Sequence, residues 1–565
     1  MVLSKYINSF LDKPQWIFWY YVLINMVPSI CLMFTEPLNI ASKAILIIFP
    51  LGLYLVLFCL SKNTGLILLL LFPLLFLHAF QLVVFYLFGE DVIAADMFLN
   101  VKTTNATEAG ELLSGIWPSV IIVCLLYLPP VYFAVRMCYR KIYLDRIFRR
   151  NFFFAGIVLL ALSYGLSFFA LNYNSGRYSY KHDVYPCNML YNLDFAIKKW
   201  QRNTSYCETS GNFTFGAKKA NHAGQREVYV MVVGETGRAG NWGLYGYHRQ
   251  TTPKLDSDEG IVFYRDAITQ SNTTHKSVPM MLSYSSAEDF NVIYGQKSII
   301  TAFKEVGFTT VFLSNQAPNH TFTDHFAAEA DFTKYYRATN QQVNNLDEVM
   351  LPCLKHYIDS VPGNLFVVMH SYGSHFNYRE RYPDYFSVFE PDDVKNIGKG
   401  EKEKMINAYD NSILYTDDLL HRIMSVLGDS TLCSAMFYAA DHGEDLLDDG
   451  RMRFLHASPN PTYYQLHIPL MMWFSDNYKA NYPHKVANAI VNAPKPVSTN
   501  AIFHTLLDMA GVQTDYYESD LSLLSPLFKV RKRMYLDDHD EPIFFYNANL
   551  KRQDKEMIEK QKIYH

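Results

Sequence analysis

The chain has 565 residues, of which 50% are apolar, 15% aromatic and 18% charged, with a formal net charge of −4. That length exceeds one small domain, and the weakly acidic balance excludes nucleic-acid binding driven by bulk electrostatics. Eight cysteines without any CxxC spacing exclude a dense disulfide framework and a cysteine zinc site. Cys187 and Cys207 stay open to two readings, a disulfide in an oxidising compartment or two free thiols.

In chain order, residues 1–171 come first, and they are dominated by apolar runs. Stretches near 16–34, 43–60, 65–88, 117–137 and 151–171 are each long enough to cross a bilayer, so a five-helix transmembrane domain is expected. The first lacks a small-residue cleavage site and is expected to be retained. Arg140, Lys141, Arg146, Arg149 and Arg150 gather between the fourth and fifth stretches and place that end in the cytoplasm. Glu90, Asp91, Asp96, Glu108 and Glu111 make the segment before the fourth acidic, hence external. Five crossings then leave the chain outside at about residue 172. The external loop at 89–116 is open to two readings from spacing alone, a surface helix or a connector.

Residues 172–224 are expected to bridge to a second domain at 225–565. There, short β-branched runs at 228–233, 309–313, 365–369, 435–439 and 469–474 alternate with helix-compatible stretches. This rhythm predicts an extracytoplasmic α/β domain with a mainly parallel central sheet. Ligands of such folds bind beyond the carboxyl ends of strands. Glu235, His370, Asp441 and His442 stand directly after such runs, and His375 a little further on. Two carboxylates and an imidazole make a hard-to-borderline donor set for Zn²⁺ or Mn²⁺. The segment 271–277 is crowded with hydroxyls. A metal-activated threonine nucleophile and a helix cap both fit it.

The block Gly234-Glu235-Thr236-Gly237-Arg238-Ala239-Gly240-Asn241, continuing through Leu244, Gly246, Tyr247, Arg249, Thr251 and Pro253, follows the pattern GETxRxxNxxLxGYxRxTxP. It resembles the signature of phosphoethanolamine transferases, which modify lipid A and related surface glycans and include colistin-resistance enzymes. Tyr409-Asp410-Asn411 and Asp441-His442-Gly443-Glu444 resemble further blocks of that family. The resemblance spans nearly the whole chain. It implies an alkaline-phosphatase/sulfatase-like domain beyond five spans, in a bacterial inner membrane with the catalytic domain in the periplasm.

Position by position, the resemblance implies zinc ligands at Glu235, Thr274, Asp441 and His442, with Thr274 as nucleophile. It implies phosphoryl-contacting histidines at His375 and His456, and donor-lipid contacts at Asn100, Thr104 and Glu108. With the resemblance, the surface-helix reading of the loop prevails. One tightly bound Zn²⁺ is expected, with room for a second, ahead of Mn²⁺. The implied partners are a phosphatidylethanolamine donor, a lipid A or surface-glycan acceptor and membrane lipids; no nucleic acid is expected, and the chain is expected to be a monomer. Two departures bear on the acceptor. Asn272 and Met280 stand where many lipid A-modifying members carry cysteines near the nucleophile. The segment Ser314-Asn315-Gln316 is closer to a branch acting on core sugars or other glycans. A phosphoglycerol transferase of the lipoteichoic acid synthase type is the neighbouring alternative.

Overall fold

The computed structural model describes residues 13–104, 106–172, 176–220, 224–337 and 345–564, with the backbone alone for 106–108. The chain divides into two compact units: Met1–Phe98 with Ile116–Ala196, and Leu99–Gly115 with Ile197–His565. In chain order the first helices are α1 (Pro14–Thr35), α2 (Ile40–Cys59), α3 (Thr64–Leu70) and α4 (Phe72–Phe88). Two shorter helices, α5 (Ala95–Thr103) and α6 (Ala106–Gly115), precede α7 (Trp117–Arg140) and α8 (Arg146–Ser167).

Helices α1, α2, α7 and α8 are long and apolar enough to cross a membrane. The expected third span is instead a bent pair, with α3 and α4 meeting at 63°. Pro73 near the start of α4 explains the break. Proline has no amide proton, and its ring clashes with the carbonyl four residues back. The described helices therefore supply four spans, or five where the bent pair counts as one. Two of the spans meet backbone to backbone: a Cβ on Gly52 of α2 would lie 2.9 Å from the Gly156 carbonyl oxygen of α8. Only glycine permits so close a crossing, the usual contact where lipid supplies no hydrophobic drive between helices.

The second unit is built on a seven-stranded sheet. Its strands are β1 (Glu227–Gly234), β2 (Ile261–Phe263), β3 (Thr309–Ser314), β4 (Phe332–Tyr335), β5 (Leu365–His370), β6 (Cys433–Ala440) and β7 (Leu470–Phe474). The spatial order is β2-β7-β6-β1-β5-β3-β4. The five strands from β6 to β4 pair in parallel, while β7 is antiparallel to both β6 and β2. The sheet is thus mixed rather than simply parallel. The run at 469–474 gave no warning, because an apolar run carries no mark of strand direction. Every residue of β1, β5 and β6 is buried, as expected for strands covered on both faces. Further helices are α9 (Cys187–Thr204), α10 (Thr274–Met281), α11 (Lys402–Leu427) and α12 (Arg552–Lys560), of which α10 and α11 carry site or clamp residues. Cys187 and Cys207 are both free thiols.

Candidate active site

Sheet register assembles the site. Val233 of β1 pairs with His370 of β5, and Gly234 of β1 pairs with Ala440 of β6. The chain therefore leaves all three strands at one edge, delivering Glu235, Ser371 and Asp441 side by side. Thr236 adopts a positive φ of 59°, costly for a β-branched residue. It is held there by its amide on Asp441 Oδ1 at 3.0 Å and by the Tyr409 hydroxyl on its carbonyl at 2.7 Å.

Thr274 is the first residue of α10, after the cap position Thr273. Its Oγ1 lies 3.3 and 3.5 Å from the two Glu235 carboxylate oxygens and 3.1 Å from His442 Nε2. His442 Nδ1 lies 3.0 Å from the Gly443 carbonyl oxygen. A carbonyl only accepts, so Nδ1 carries the proton and the Nε2 lone pair faces the site. Asp441 Oδ2 is 3.2 Å from that nitrogen and Glu235 Oε1 is 3.7 Å from it. Asp441 Oδ2 is buried and has no hydrogen-bond donor among the described residues. Glu235 and His442 thus share a single hydroxyl proton, while Asp441 Oδ2 faces the His442 lone pair with no proton between them.

Electrostatics repeats the point. Burial raises the pKa of Asp441, and the neighbouring Glu235 raises it further. Burial also raises Glu235, opposed by His456. Burial lowers His442 well below the usual imidazole range. Two carboxylates in one dry pocket oppose each other's ionisation, and a bound cation would relieve that opposition. Carboxylate, imidazole and hydroxyl donors suit a borderline dication, so the residues present fit zinc.

His456 follows the short strand Phe454–Leu455 and stacks near His442, with ring centroids 4.1 Å apart. Donor atoms of Glu235, His442 and His456 lie within 4.8 Å of one another. His456 Nδ1 sits 3.1 Å from Glu444 Oε2. Burial acts to lower its pKa, but Glu444 outweighs burial and carries it to about 9. Glu444 engages Nδ1, which leaves Nε2 as the His456 atom available to a metal or a phosphoryl oxygen. His375 is oriented by a 2.7 Å bond between Nδ1 and the Phe376 carbonyl and lies flat on Tyr372, 4.9 Å between centroids. Burial lowers it to about 3. Its ring is 6.3 Å from that of His456.

The structure thus brings Glu235, Thr274, Asp441, His442, His375 and His456 together. Asn100 and Thr104 lie elsewhere in their hydrogen bonding: the Thr104 amide and hydroxyl both donate to the Asn100 carbonyl, at 2.8 and 2.6 Å. The Glu108 side chain lies outside the described residues. The next acidic residue of α6, Glu111, accepts from Arg381 at 2.9 Å and from the Asn377 amide at 3.1 Å. This ties the loop helix to the segment that follows His375.

Two residues that stand in the strand-end segments, but carry no expected site role, also line the site. Gln316, two positions beyond β3, donates to Glu235 Oε2 at 2.8 Å and to the Ser371 carbonyl at 3.0 Å. Glu444 is buried and clamps His456. Both stand just past strand ends, the place that marks ligand-side residues, but neither amide nor second carboxylate is distinctive alone. The long signature block proves mostly structural. Asp410 of α11 accepts from Asn241, Tyr247 and Arg249 at 2.6, 3.0 and 2.9 Å, and Arg238 bonds Asn241 and Asp448 at 2.6 and 2.8 Å.

A sheet of this topology, with a threonine hydroxyl, two carboxylates and histidines gathered beyond its strand ends, defines a catalytic domain of the alkaline phosphatase superfamily. Residues 227–512 match the Sulfatase family model, and the chain belongs to that family. The phosphoethanolamine transferase EptC of Escherichia coli strain K12 is 24% identical over 477 residues, covering 80% of this chain and 80% of its own. Among solved structures, the integral membrane lipooligosaccharide phosphoethanolamine transferase EptA of Neisseria meningitidis has the same fold. It shows a TM-score of 0.67 and 23% identity over 88% of this chain and 97% of its own. The periplasmic domain of Escherichia coli EptC, solved in complex with Zn, gives a TM-score of 0.54 at 24% identity, over 60% of this chain and 97% of that one. The resemblance carried by residues 234–253 therefore holds: the curated relatives are phosphoethanolamine transferases.

Proposed function

We propose that this protein is a zinc-dependent phosphotransferase that moves phosphoethanolamine from phosphatidylethanolamine to a cell-envelope acceptor, through a covalent adduct on Thr274. The observation that carries this reading is the contact of Thr274 Oγ1 with both Glu235 and the lone pair of His442. Glu235, Thr274, Asp441 and His442 would hold the zinc. When bound, it supplies Lewis acidity that acidifies the hydroxyl and offsets charge on phosphoryl oxygens.

Thr274 Oγ1 passes its proton to the Glu235 carboxylate, 3.3 and 3.5 Å away, and attacks phosphorus. The Oγ1–P bond forms as the bond from phosphorus to the diacylglycerol oxygen breaks. His456, kept cationic by Glu444, donates to a phosphoryl oxygen or to the departing alkoxide. His375 is neutral with Nδ1 tied to the Phe376 carbonyl, so its Nε2 accepts, and it is suited to orient the ethanolamine ammonium or the incoming acceptor hydroxyl. In the second half, an acceptor oxygen attacks the adduct as the Oγ1–P bond breaks; His456 takes the proton the acceptor loses, and Thr274 Oγ1 recovers its proton from Glu235. Asn100, Thr104 and Glu108 are assigned to the donor lipid, on an external loop. Lipid A phosphate is the first acceptor, supported by a relative 28% identical over 311 residues that is named a Kdo(2)-lipid A phosphoethanolamine transferase. A core sugar or other glycan is the second, on the strength of Gln316. Five crossings, with the bent pair spanning as one, would put the catalytic unit in the periplasm beside both lipids, raising their effective concentration.

The test is transfer of label from ethanolamine-labelled and glycerol-labelled donor lipids, with mass analysis of the trapped chain. Thr274→Ala is expected to lose at least ~10³-fold in rate and all adduct, while melting as the parent does. Retained transfer in that variant removes Thr274 as nucleophile, and label arriving from glycerol favours a phosphoglycerol transferase.

A further inference from the structure

The nucleophile segment and the His456 loop belong to distant parts of the chain, yet a buried amide pair bolts them together. Asn272, two residues before Thr274, uses its whole side chain. Its Nδ2 donates to the Ser458 carbonyl at 2.9 Å and to Gln465 Oε1 at 2.7 Å. Its Oδ1 accepts from the Tyr535 hydroxyl at 2.7 Å. Gln465 donates in turn to the Leu455 carbonyl at 3.1 Å and to Asp445 Oδ2 at 2.7 Å. The Asn272 carbonyl accepts from the Ala457 amide at 3.1 Å.

Leu455 and Ala457 flank His456, and both hold positive φ, 68° and 58°. Neither is glycine, so the loop is strained on both sides of the histidine and persists only where its surroundings over-determine it. The bonds from Gln465 and to Asn272 end on those two residues. Asn272, Gln465 and Tyr535 are all buried, at 3%, 0% and 3% exposure. Tyr535 comes from beyond residue 512, where the family match ends. The next residue, Leu536, also donates its amide to the Gln270 carbonyl at 2.8 Å. The C-terminal segment thus grips the nucleophile loop from its far side.

We propose that Asn272, Gln465 and Tyr535 are positioning residues that set the separation of Thr274 and His456 for transfer. The inference rests on Thr274 as the nucleophile. A slack brace would leave both groups present but misplaced, and misplacement of reacting groups by about 1 Å costs up to ~10²-fold in rate.

The experiment uses the full-length, zinc-loaded protein with phosphatidylethanolamine vesicles. Asn272→Ala, Tyr535→Phe and the double variant are compared for kcat, KM, the fraction of chains carrying the threonine adduct, and melting temperature. Tyr535→Phe keeps the ring and loses one hydroxyl, so it tests the brace even where Asn272→Ala fails to fold. Each single variant is expected to lose about tenfold in kcat with KM within about twofold. The double variant should be no worse than Asn272→Ala, because both act through one amide. Parental kcat in a folded Tyr535→Phe overturns the proposal. So does a loss of rate that follows melting temperature and disappears on cooling. Thr274→Ala separates the two readings: if that variant is active, the functional reading has failed. If it is dead while the brace variants keep full rate, only this inference has failed.

Discussion

At the scale of the residue, the site is a problem of unsatisfied acceptors. Glu235, Asp441 and His442 turn lone pairs toward one another, and the Thr274 hydroxyl has a single proton to share between Glu235 and His442. Glycine at 373 makes this crowding possible. Its φ is +49°, and a Cβ there would lie 2.6 Å from the Glu235 carbonyl oxygen and 3.0 Å from its amide nitrogen. Gly373→Ala is therefore expected to push Glu235 out of register. We expect a loss of about 1–3 kcal/mol in stability and a lower zinc content, read by thermal melting and elemental analysis. Normal zinc and normal rate in this variant would show that position 373 does not govern Glu235.

At the scale of the element, the signature block acts as a clamp between β1 and α11. Asp410 is fully buried and gathers Asn241, Tyr247 and Arg249. The Tyr409 hydroxyl, one residue away, pins the strained Thr236 backbone beside Glu235. Removing the carboxylate leaves Arg249 and two neutral groups without their acceptor, and breaking a buried charged pair typically costs about 3–5 kcal/mol. Arg249 is 27% exposed, so solvent softens its share and the lower end of that range is expected for Asp410→Ala. Denaturant unfolding of the variant measures it, and a loss under about 1 kcal/mol would mean that the clamp is slack. The same scale shows why α3 and α4 bend. A single proline at the head of α4 outweighs an otherwise continuous apolar run.

At the scale of the whole molecule, the metal should behave as part of the fold. A ligand that binds only the native state stabilises it by mass action, by about 4 kcal/mol when free metal is a thousand times its dissociation constant. Chelation is expected to lower the melting temperature of the full chain, and added zinc to restore it. An unchanged calorimetric transition after the metal is stripped would sink the assignment of Glu235, Asp441 and His442 as its ligands. The division of the chain also has meaning here. The segment 99–115 groups with the second unit although it lies between two apolar helices in sequence. Its Glu111 is bonded to Arg381 and to the Asn377 amide.

What the sequence determined by itself is whatever local chemistry dictates. Apolar length marked the helices long enough to cross a membrane, strand-end acids and imidazoles marked residues that the fold brings together, and a long motif marked the family. These signals are legible because each depends on neighbours along the chain. Thr274 was chosen over its hydroxyl-bearing neighbours only by the motif register. It is the tertiary structure that sets Oγ1 between Glu235 and His442. Strand direction in β7, the structural burden of the signature block, and the joining of Asn272 to Gln465 and Tyr535 were likewise settled only by folding. Each is a relation between segments separated by tens to hundreds of residues, and nothing in the chemistry of either segment alone prescribes its partner.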